Sequence, residues 1–152
     1  MSVLAMRPSS FRRRRVITSA AVTALRIAGA GLLATNAGIH AYLWDVGYRS
    51  VPTIGTLFLL NATAASVLTV AVLGVPRRWL PVFAALGALL ELGTVGGLIL
   101  TTLHGLFGFV ESARATLYWQ SAITEIAGAV ILAALAGLVW RQARGGATTS
   151  WW

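Results

Sequence analysis

Five ionisable side chains lie within long apolar stretches of this sequence, and they carry most of its potential chemistry. They are Arg26, His40, Glu91, His104 and Glu125. Charged groups in an apolar environment are costly, so they usually face one another or a polar cavity. Imidazole and carboxylate groups in such a place could bind a metal or haem iron, hydrogen-bond the headgroup of a quinone, or carry protons.

Three polar residues on different apolar segments share the same depth. Asn36 lies eight residues from Trp44, Asn61 lies eight from Thr53, and Glu125 lies eight from Leu117. In a helix that rises about 1.5 Å per residue, this is a depth of roughly 12 Å. His40 lies one helical turn from Asn36 on the same face, and His104 closes its own segment near the same surface. The sequence therefore predicts one outward-facing polar site made of Asn36, His40, Asn61, His104 and Glu125.

Two interpretations of this polar site stay open. In the functional one, His40, His104 and Glu125 surround a haem, a quinone or a metal ion, and the same three residues would be the ligands of the metal. In the structural one, the two asparagines and Glu125 only hydrogen-bond across helices and fix their packing. No short-spaced ligand motif such as HExxH favours the metal.

Arg26 and Glu91 form a second candidate pair, nearer the middle of the apolar segments. An intramembrane ion pair between them would offset two costly desolvations. In the alternative, Arg26 extends to the nearer membrane surface while Glu91 stays protonated. A proton relay from Glu91 through Glu125 to His40 is also conceivable.

Four long apolar segments hold these residues, at approximately 17–44, 54–75, 79–104 and 117–140. The chain is 57% hydrophobic and only 11% charged, whereas a soluble domain is about 25% charged. About 20 apolar residues span a bilayer, and a spanning segment must satisfy its backbone hydrogen bonds internally, which favours helices. The predicted fold is an all-α membrane protein, a four-transmembrane-helix bundle that crosses the lipid bilayer up-down-up-down.

The arginines predict the orientation of this bundle. The formal net charge is +8. Only Arg49 and Arg114 fall on one side of the spans, whereas the other side carries Arg7, Arg12, Arg13, Arg14, Arg15, Arg77, Arg78, Arg141 and Arg144. This positive-inside pattern predicts a multi-pass protein of the inner (plasma) membrane with both termini in the cytoplasm, and it explains the basic charge without nucleic acid.

The expected organisation is a basic cytoplasmic tail at 1–15, a membrane domain at 16–141 and a cytoplasmic tail at 142–152. The first apolar run is much longer than that of a signal peptide, so we expect it to be retained. Cysteine is absent, which excludes thiol and Fe–S chemistry within the chain. The sequence has no GxSxG, P-loop or dinucleotide motif, and this favours a role other than catalysis.

Two segments carry a resemblance to known proteins. The stretch GIHAYLWDVGYRSVPTIGTLFLLN at 38–61 and the stretch GLFGFVES at 105–112 resemble segments of small, largely uncharacterised four-span membrane proteins of actinobacteria. The resemblance implies an inner-membrane protein of that type and implies no activity. In architecture alone, the bundle is similar to DoxX-type proteins, some of which serve as quinone-linked redox subunits.

Three functions follow from these observations as hypotheses. The first is an accessory or interaction subunit of a membrane complex, which fits the small size and the lack of a soluble domain. The second is a DoxX-like redox or cofactor-binding subunit that holds a haem, quinone or metal. The third is a small proton-coupled transporter that uses Glu91 and Glu125 and associates with itself to enclose enough volume.

Overall fold

The computed structural model describes the backbone of residues 9–147 and the side chains of residues 19–144. Within this part the protein is a bundle of four antiparallel helices, which confirms the predicted fold class. They are α1 (Ser9–Val46), α2 (Ile54–Gly74), α3 (Leu80–Leu103) and α4 (Tyr118–Ala147). Each is long and apolar enough to cross a membrane, as about 20 residues suffice. The chain is therefore a small multi-pass membrane protein.

The helix ends differ from the predicted spans mainly at the two termini. α2 and α3 lie within one residue of their predicted bounds. α1, however, begins at Ser9 and includes the basic run at 12–15, which the sequence pattern places in the tail. α4 likewise continues to Ala147, beyond the predicted end at 140. Arginine, glutamine and alanine favour the helix, which explains why residues 12–15 and 141–144 keep the helical conformation.

The bundle has two ends that differ in character. The arginine end carries Arg77, Arg78, Arg141 and Arg144, and both ends of the described chain lie there. The loop end carries the connection at 47–53, with a short 3-10 helix at Tyr48–Ser50, and the longer connection at 104–117. The predicted outward-facing site would lie toward the loop end.

Packing around the bundle is uneven. α1 packs closely against α2 and α4, and α3 packs closely against α4, whereas α2 and α3 contact each other much less. An apolar core fills the half of the bundle nearer the arginine end, where Leu33, Leu132 and Leu135 are fully buried. The looser α2–α3 pair leaves space in the other half, and that space contains the polar residues.

Two glycines let α4 sit deep in this core. A Cβ atom on Gly29 would lie 2.7 Å from Leu132 Cδ2, and one on Gly87 would lie 3.0 Å from Leu132 Cδ1. Leu132 therefore fills the gap between α1 and α3, which scarcely contact each other directly. Small residues allow this close approach of helices in a membrane.

Candidate functional site

A chain of hydrogen bonds joins α1, α2 and α3 between the apolar core and the loop end. Asn36 Nδ2 donates to Glu91 Oε2 at 3.1 Å, and Asn61 Nδ2 donates to Asn36 Oδ1 at 3.2 Å. Thr94 Oγ1 lies 3.2 Å from Asn61 Oδ1. Because amide nitrogens only donate and carbonyl oxygens only accept, the amide bonds run in one direction, from Asn61 to Asn36 to Glu91. Thr94 has a single hydroxyl proton, which it shares between Asn61 and the backbone oxygen of Leu90 at 2.9 Å.

His40 and Glu125 form a buried pair beside this chain. The two residues are 5% and 1% exposed. His40 Nδ1 lies 3.1 Å from the backbone oxygen of Asn36. Because that oxygen can only accept, Nδ1 carries the proton, and a neutral imidazole then presents its Nε2 lone pair. Nε2 lies 3.9 Å from Glu125 Oε1, which is too far for a direct hydrogen bond.

Both buried carboxyl groups have unused hydrogen-bonding capacity. Among the described residues, Glu91 Oε1 and Glu125 Oε2 are buried without a partner. Gly128 makes room for the first of these groups, since a Cβ there would lie 3.0 Å from Glu91 Cδ. Most buried polar atoms in proteins are hydrogen-bonded, so an exception calls for an explanation such as a functional role.

A cleft of about 470 Å³ lies between α2 and α3, on the loop-end side of Glu125 and His40. Its walls are mainly apolar and include Leu57, Leu60, Ala64, Leu89, Gly93, Gly97 and Leu98, whereas its polar floor includes His40, Asn61, Thr94 and Glu125. Leu60 and Leu89 are 59% and 64% exposed on the outer surface of the bundle. Because that surface faces lipid in a membrane-spanning bundle, the cleft opens sideways into the bilayer.

The two connections at the loop end form the roof of the cleft. Tyr48 donates a hydrogen bond to Glu111 Oε2 at 2.5 Å, which joins the shorter connection to the longer one. The Tyr48 ring stacks on Phe58 of α2 at 4.4 Å between centroids, and Phe109 meets it edge-on at 5.7 Å. All four residues line the cleft.

Local backbone geometry places these roof residues. The backbone oxygen of Tyr48 packs closely against Gly55. A Cβ atom on residue 55 would lie only 2.5 Å from that oxygen, so the close approach depends on glycine having no side chain. In the longer connection, Leu106 and Phe109 exchange backbone hydrogen bonds across a two-residue turn. Phe107 and Gly108 both have positive φ angles of 53° and 77°, as a type I′ turn requires. The turn leaves Phe107 exposed and directs Phe109 toward the cleft.

The Tyr48–Glu111 contact lies outside the membrane-spanning segments. Burial raises the pKa of the Tyr48 phenol, and the hydrogen bond and negative charge of Glu111 raise the same pKa further. The phenol therefore stays protonated and remains the donor throughout the physiological pH range. By contrast, Asp45, another acid of this region, pairs with Arg49 at 3.6 Å on the exposed surface, away from the cleft.

The structure brings together four of the five residues of the predicted polar site. Asn36, His40, Asn61 and Glu125 lie in one layer, but His104 does not join them. His104 follows the last residue of α3, is exposed and does not line the cleft. No group of three or more histidine, aspartate or glutamate side chains in the described chain is arranged to hold a metal ion.

Of the two alternatives for Arg26, the ion pair with Glu91 is not formed. Arg26 instead extends to the arginine end and donates to backbone oxygens at the end of α2, reaching Leu73 at 2.8 Å and Val75 at 2.7 Å, with a third bond to Val72. The last carbonyls of a helix lack partners within it, so they offer the guanidinium several acceptors. Glu91, with its Asn36 bond, belongs to the polar layer.

Two parts of this site do not follow from the sequence pattern. The pattern places Glu91 and Thr94 on one helix face but does not predict their connection to the asparagines, although their spacing of three residues puts both within reach of one neighbour. The joining of the two connections by Tyr48 has no clear signal in the sequence. Comparison with protein-family models, curated proteins and solved structures finds no match to this chain.

Proposed function

We propose that this protein binds a lipid-soluble molecule with a polar headgroup in the cleft between α2 and α3. The observation that carries this proposal is the buried His40–Glu125 pair at the floor of a mainly apolar cleft, together with the carboxyl oxygen of Glu125 that has no partner. Protein sites for small molecules combine mostly apolar walls with a few converging polar groups. Buried polar groups within membrane helices commonly mark such functional sites.

The dimensions and position of the cleft support the same proposal. Its volume of about 470 Å³ falls in the range of roughly 300–1,000 Å³ that is usual for small-molecule sites. The sideways opening past Leu60 and Leu89 would admit a molecule dissolved in the bilayer. The roof formed by Tyr48, Phe109 and Glu111 would limit access from water.

A small organic headgroup of about the size of a quinone ring fits this site better than a metal ion or a haem does. Among the described residues, His40 is the one histidine that lines the cleft. No cluster of three or more metal-binding side chains is found among those residues. The similarity in architecture to DoxX-type proteins agrees with a lipid-soluble ligand by analogy only. With the positive-inside orientation, the site would lie in the outer half of an actinobacterial inner membrane.

Filling the cleft tests the proposal. Gly97 lines the cleft, and no atom lies within 4 Å of the position that a Cβ would take there, so Gly97→Phe would occupy the space without a clash near the backbone. Gly96 has equally open surroundings but lies outside the cleft, so Gly96→Phe is the matched control. We expect lipophilic molecules that co-purify with the protein, identified by mass spectrometry, to be lost from the first variant and kept by the second.

The proposal has a clear contrary outcome. If wild type and Gly97→Phe carry the same lipophilic molecules in equal amounts after purification, the cleft is not a binding site. Thermal unfolding of both variants in detergent checks that the bundle is intact. A bulky aromatic side chain in an open cleft is expected to shift stability by less than an overpacked core, where the cost is about 1–3 kcal/mol.

The accessory-subunit role is a second candidate, and one observation favours it. An apolar groove of about 430 Å³ runs between α3 and α4 near the arginine end, and it is lined by Pro81, Val82, Ala85, Leu86, Leu89, Ala136, Gly137 and Trp140. Small residues such as Ala85 and Gly137 would let a transmembrane helix of a partner protein approach closely.

A bulky side chain in the groove would test this second role. Gly137→Leu projects into the groove, whereas Gly31→Leu on α1 projects into space that is equally open but lies elsewhere. If a partner helix occupies the groove, a protein that co-purifies at a stoichiometric level in mild detergent should be lost from Gly137→Leu and kept by Gly31→Leu. A protein that remains without any partner under these conditions would count against the role.

A further inference from the structure

The hydrogen-bonding groups on the floor of the cleft are mainly acceptors. His40 Nε2 and Glu125 Oε1 lie 3.9 Å apart, and Glu125 Oε2 has no partner. The geometry points to a lipophilic primary amine, bound as its ammonium ion, as the ligand class of this cleft. This inference rests on the proposed function, because it specifies the headgroup that the same site would take.

The spacing of the acceptors suits an ammonium nitrogen. An atom about 2.8 Å from both His40 Nε2 and Glu125 Oε1 would meet them at an angle of roughly 90°, within the range that a tetrahedral N–H donor tolerates. A primary ammonium has three such donors. Two of these donors would reach the acceptor pair. A quinone carbonyl, which only accepts, could bond to this pair only if one of the two side chains supplied a proton.

The charges around the cleft favour a cation as well. Glu91, Glu111 and Glu125 lie on or beside its surface, and no arginine of residues 19–144 lines it. Arg49 is exposed and paired with Asp45, and Arg26 is bound to α2 at the opposite end. A buried carboxylate is costly unless a proton or a cation neutralises it. A ligand cation would supply the missing positive charge.

Aromatic rings complete the surroundings of such a ligand. Tyr48, Phe58 and Phe109 form one contiguous group over the cleft, and Phe58 also lies 4.9 Å from the His40 ring. Aromatic faces attract organic cations more than neutral groups of the same size. The apolar walls between α2 and α3 would hold the hydrocarbon part of the molecule.

Three probes with the same ten-carbon chain separate charge from hydrogen bonding. They are decylammonium, decyltrimethylammonium and decanol, and they are titrated into the full-length protein in nanodiscs of zwitterionic lipid. For each probe, specific binding is the amount bound by wild type minus the amount bound by Gly97→Phe at the same lipid concentration. This subtraction removes the probe that simply partitions into the lipid. Charge-assisted hydrogen bonds contribute about 1.5–3 kcal/mol, so decylammonium should bind at least about tenfold more tightly than decanol. Decyltrimethylammonium, which is charged but cannot donate, should fall between them.

Glu125→Gln is expected to remove the preference for the ammonium, because the amide has no charge to offer. Asp45→Asn, which alters an exposed acid outside the cleft, should retain it. His40→Phe provides a second variant if Glu125→Gln does not fold. It should reduce the difference between decylammonium and decyltrimethylammonium, because one of the two acceptors is gone while Glu125 remains; an unchanged difference would contradict the proposed acceptor pair.

The outcomes distinguish this inference from the proposed function. If decanol binds wild type as tightly as decylammonium does, and Gly97→Phe prevents both, the cleft binds lipophilic molecules but the ammonium assignment is overturned. If none of the three probes binds wild type more than Gly97→Phe, both the proposed function and the inference fail.

Discussion

Replacement of Asn36 by leucine should lower the free energy of unfolding by about 2–3 kcal/mol, because it leaves two buried polar partners unpaired. Asn36 donates to Glu91 and accepts from Asn61, so it links three helices. The residue is 1% exposed, and water cannot replace the lost bonds. Thermal or denaturant unfolding in detergent measures the change, and Thr35→Leu, an exposed neighbour on the same helix, is the control.

The double variant Asn36→Leu/Glu91→Leu tests the origin of this loss. Replacing both partners of a buried hydrogen bond by apolar groups costs much less than removing one of them. We therefore expect the double variant to be at least as stable as Asn36→Leu alone. If the two substitutions instead destabilise additively, the carboxyl group of Glu91 is not energetically coupled to Asn36.

Replacement of Arg26 by leucine should destabilise the bundle by about 2–4 kcal/mol, because it removes charged hydrogen bonds to carbonyls at the end of α2. The guanidinium reaches three backbone oxygens, those of Val72, Leu73 and Val75. Arg26→Lys keeps the charge but has a single nitrogen, so it should recover only part of the stability. Unfolding in detergent again provides the measurement, and Thr23→Leu on an exposed part of α1 is the control.

A double-mutant cycle separates this arrangement from the ion pair that the sequence suggests. With Arg26 bound to α2 and Glu91 bound to Asn36, the effects of Arg26→Gln and Glu91→Gln should add to within about 0.5 kcal/mol. A coupling energy well above that value would show that the two charges interact after all.

The fold can be predicted because the bilayer restricts the possible structures. A span needs about 20 apolar residues and must be helical, so hydropathy places α2 and α3 to within a residue. The start of α1 and the end of α4 are less predictable. Beyond the apolar region, helix propensity and not lipid decides where a helix stops, and residues 9–15 continue α1.

For the polar layer, the sequence predicts the depth of each residue in the bundle but not which residues contact one another. A fixed helical rise gives the depth of each residue. In the structure Asn36 and Asn61 are hydrogen-bonded, and Glu125 lies beside His40. Depth does not give the rotation of each helix about its axis or the pairs of helices that pack tightly. Depth alone therefore groups His104 with residues that it does not approach. It also leaves open whether Glu91 pairs with Arg26, whereas the structure joins Glu91 to Asn36.

The loose contact between α2 and α3 has a consequence for how any occupant would be supplied. A ligand that entered past Leu60 and Leu89 would come from one leaflet of the bilayer. The concentration that sets its binding would then be its mole fraction in the lipid and not its molarity in water. Occupancy would then change with acyl-chain composition and leaflet asymmetry even at a constant aqueous level. Two membranes of different composition could load the same protein to different extents.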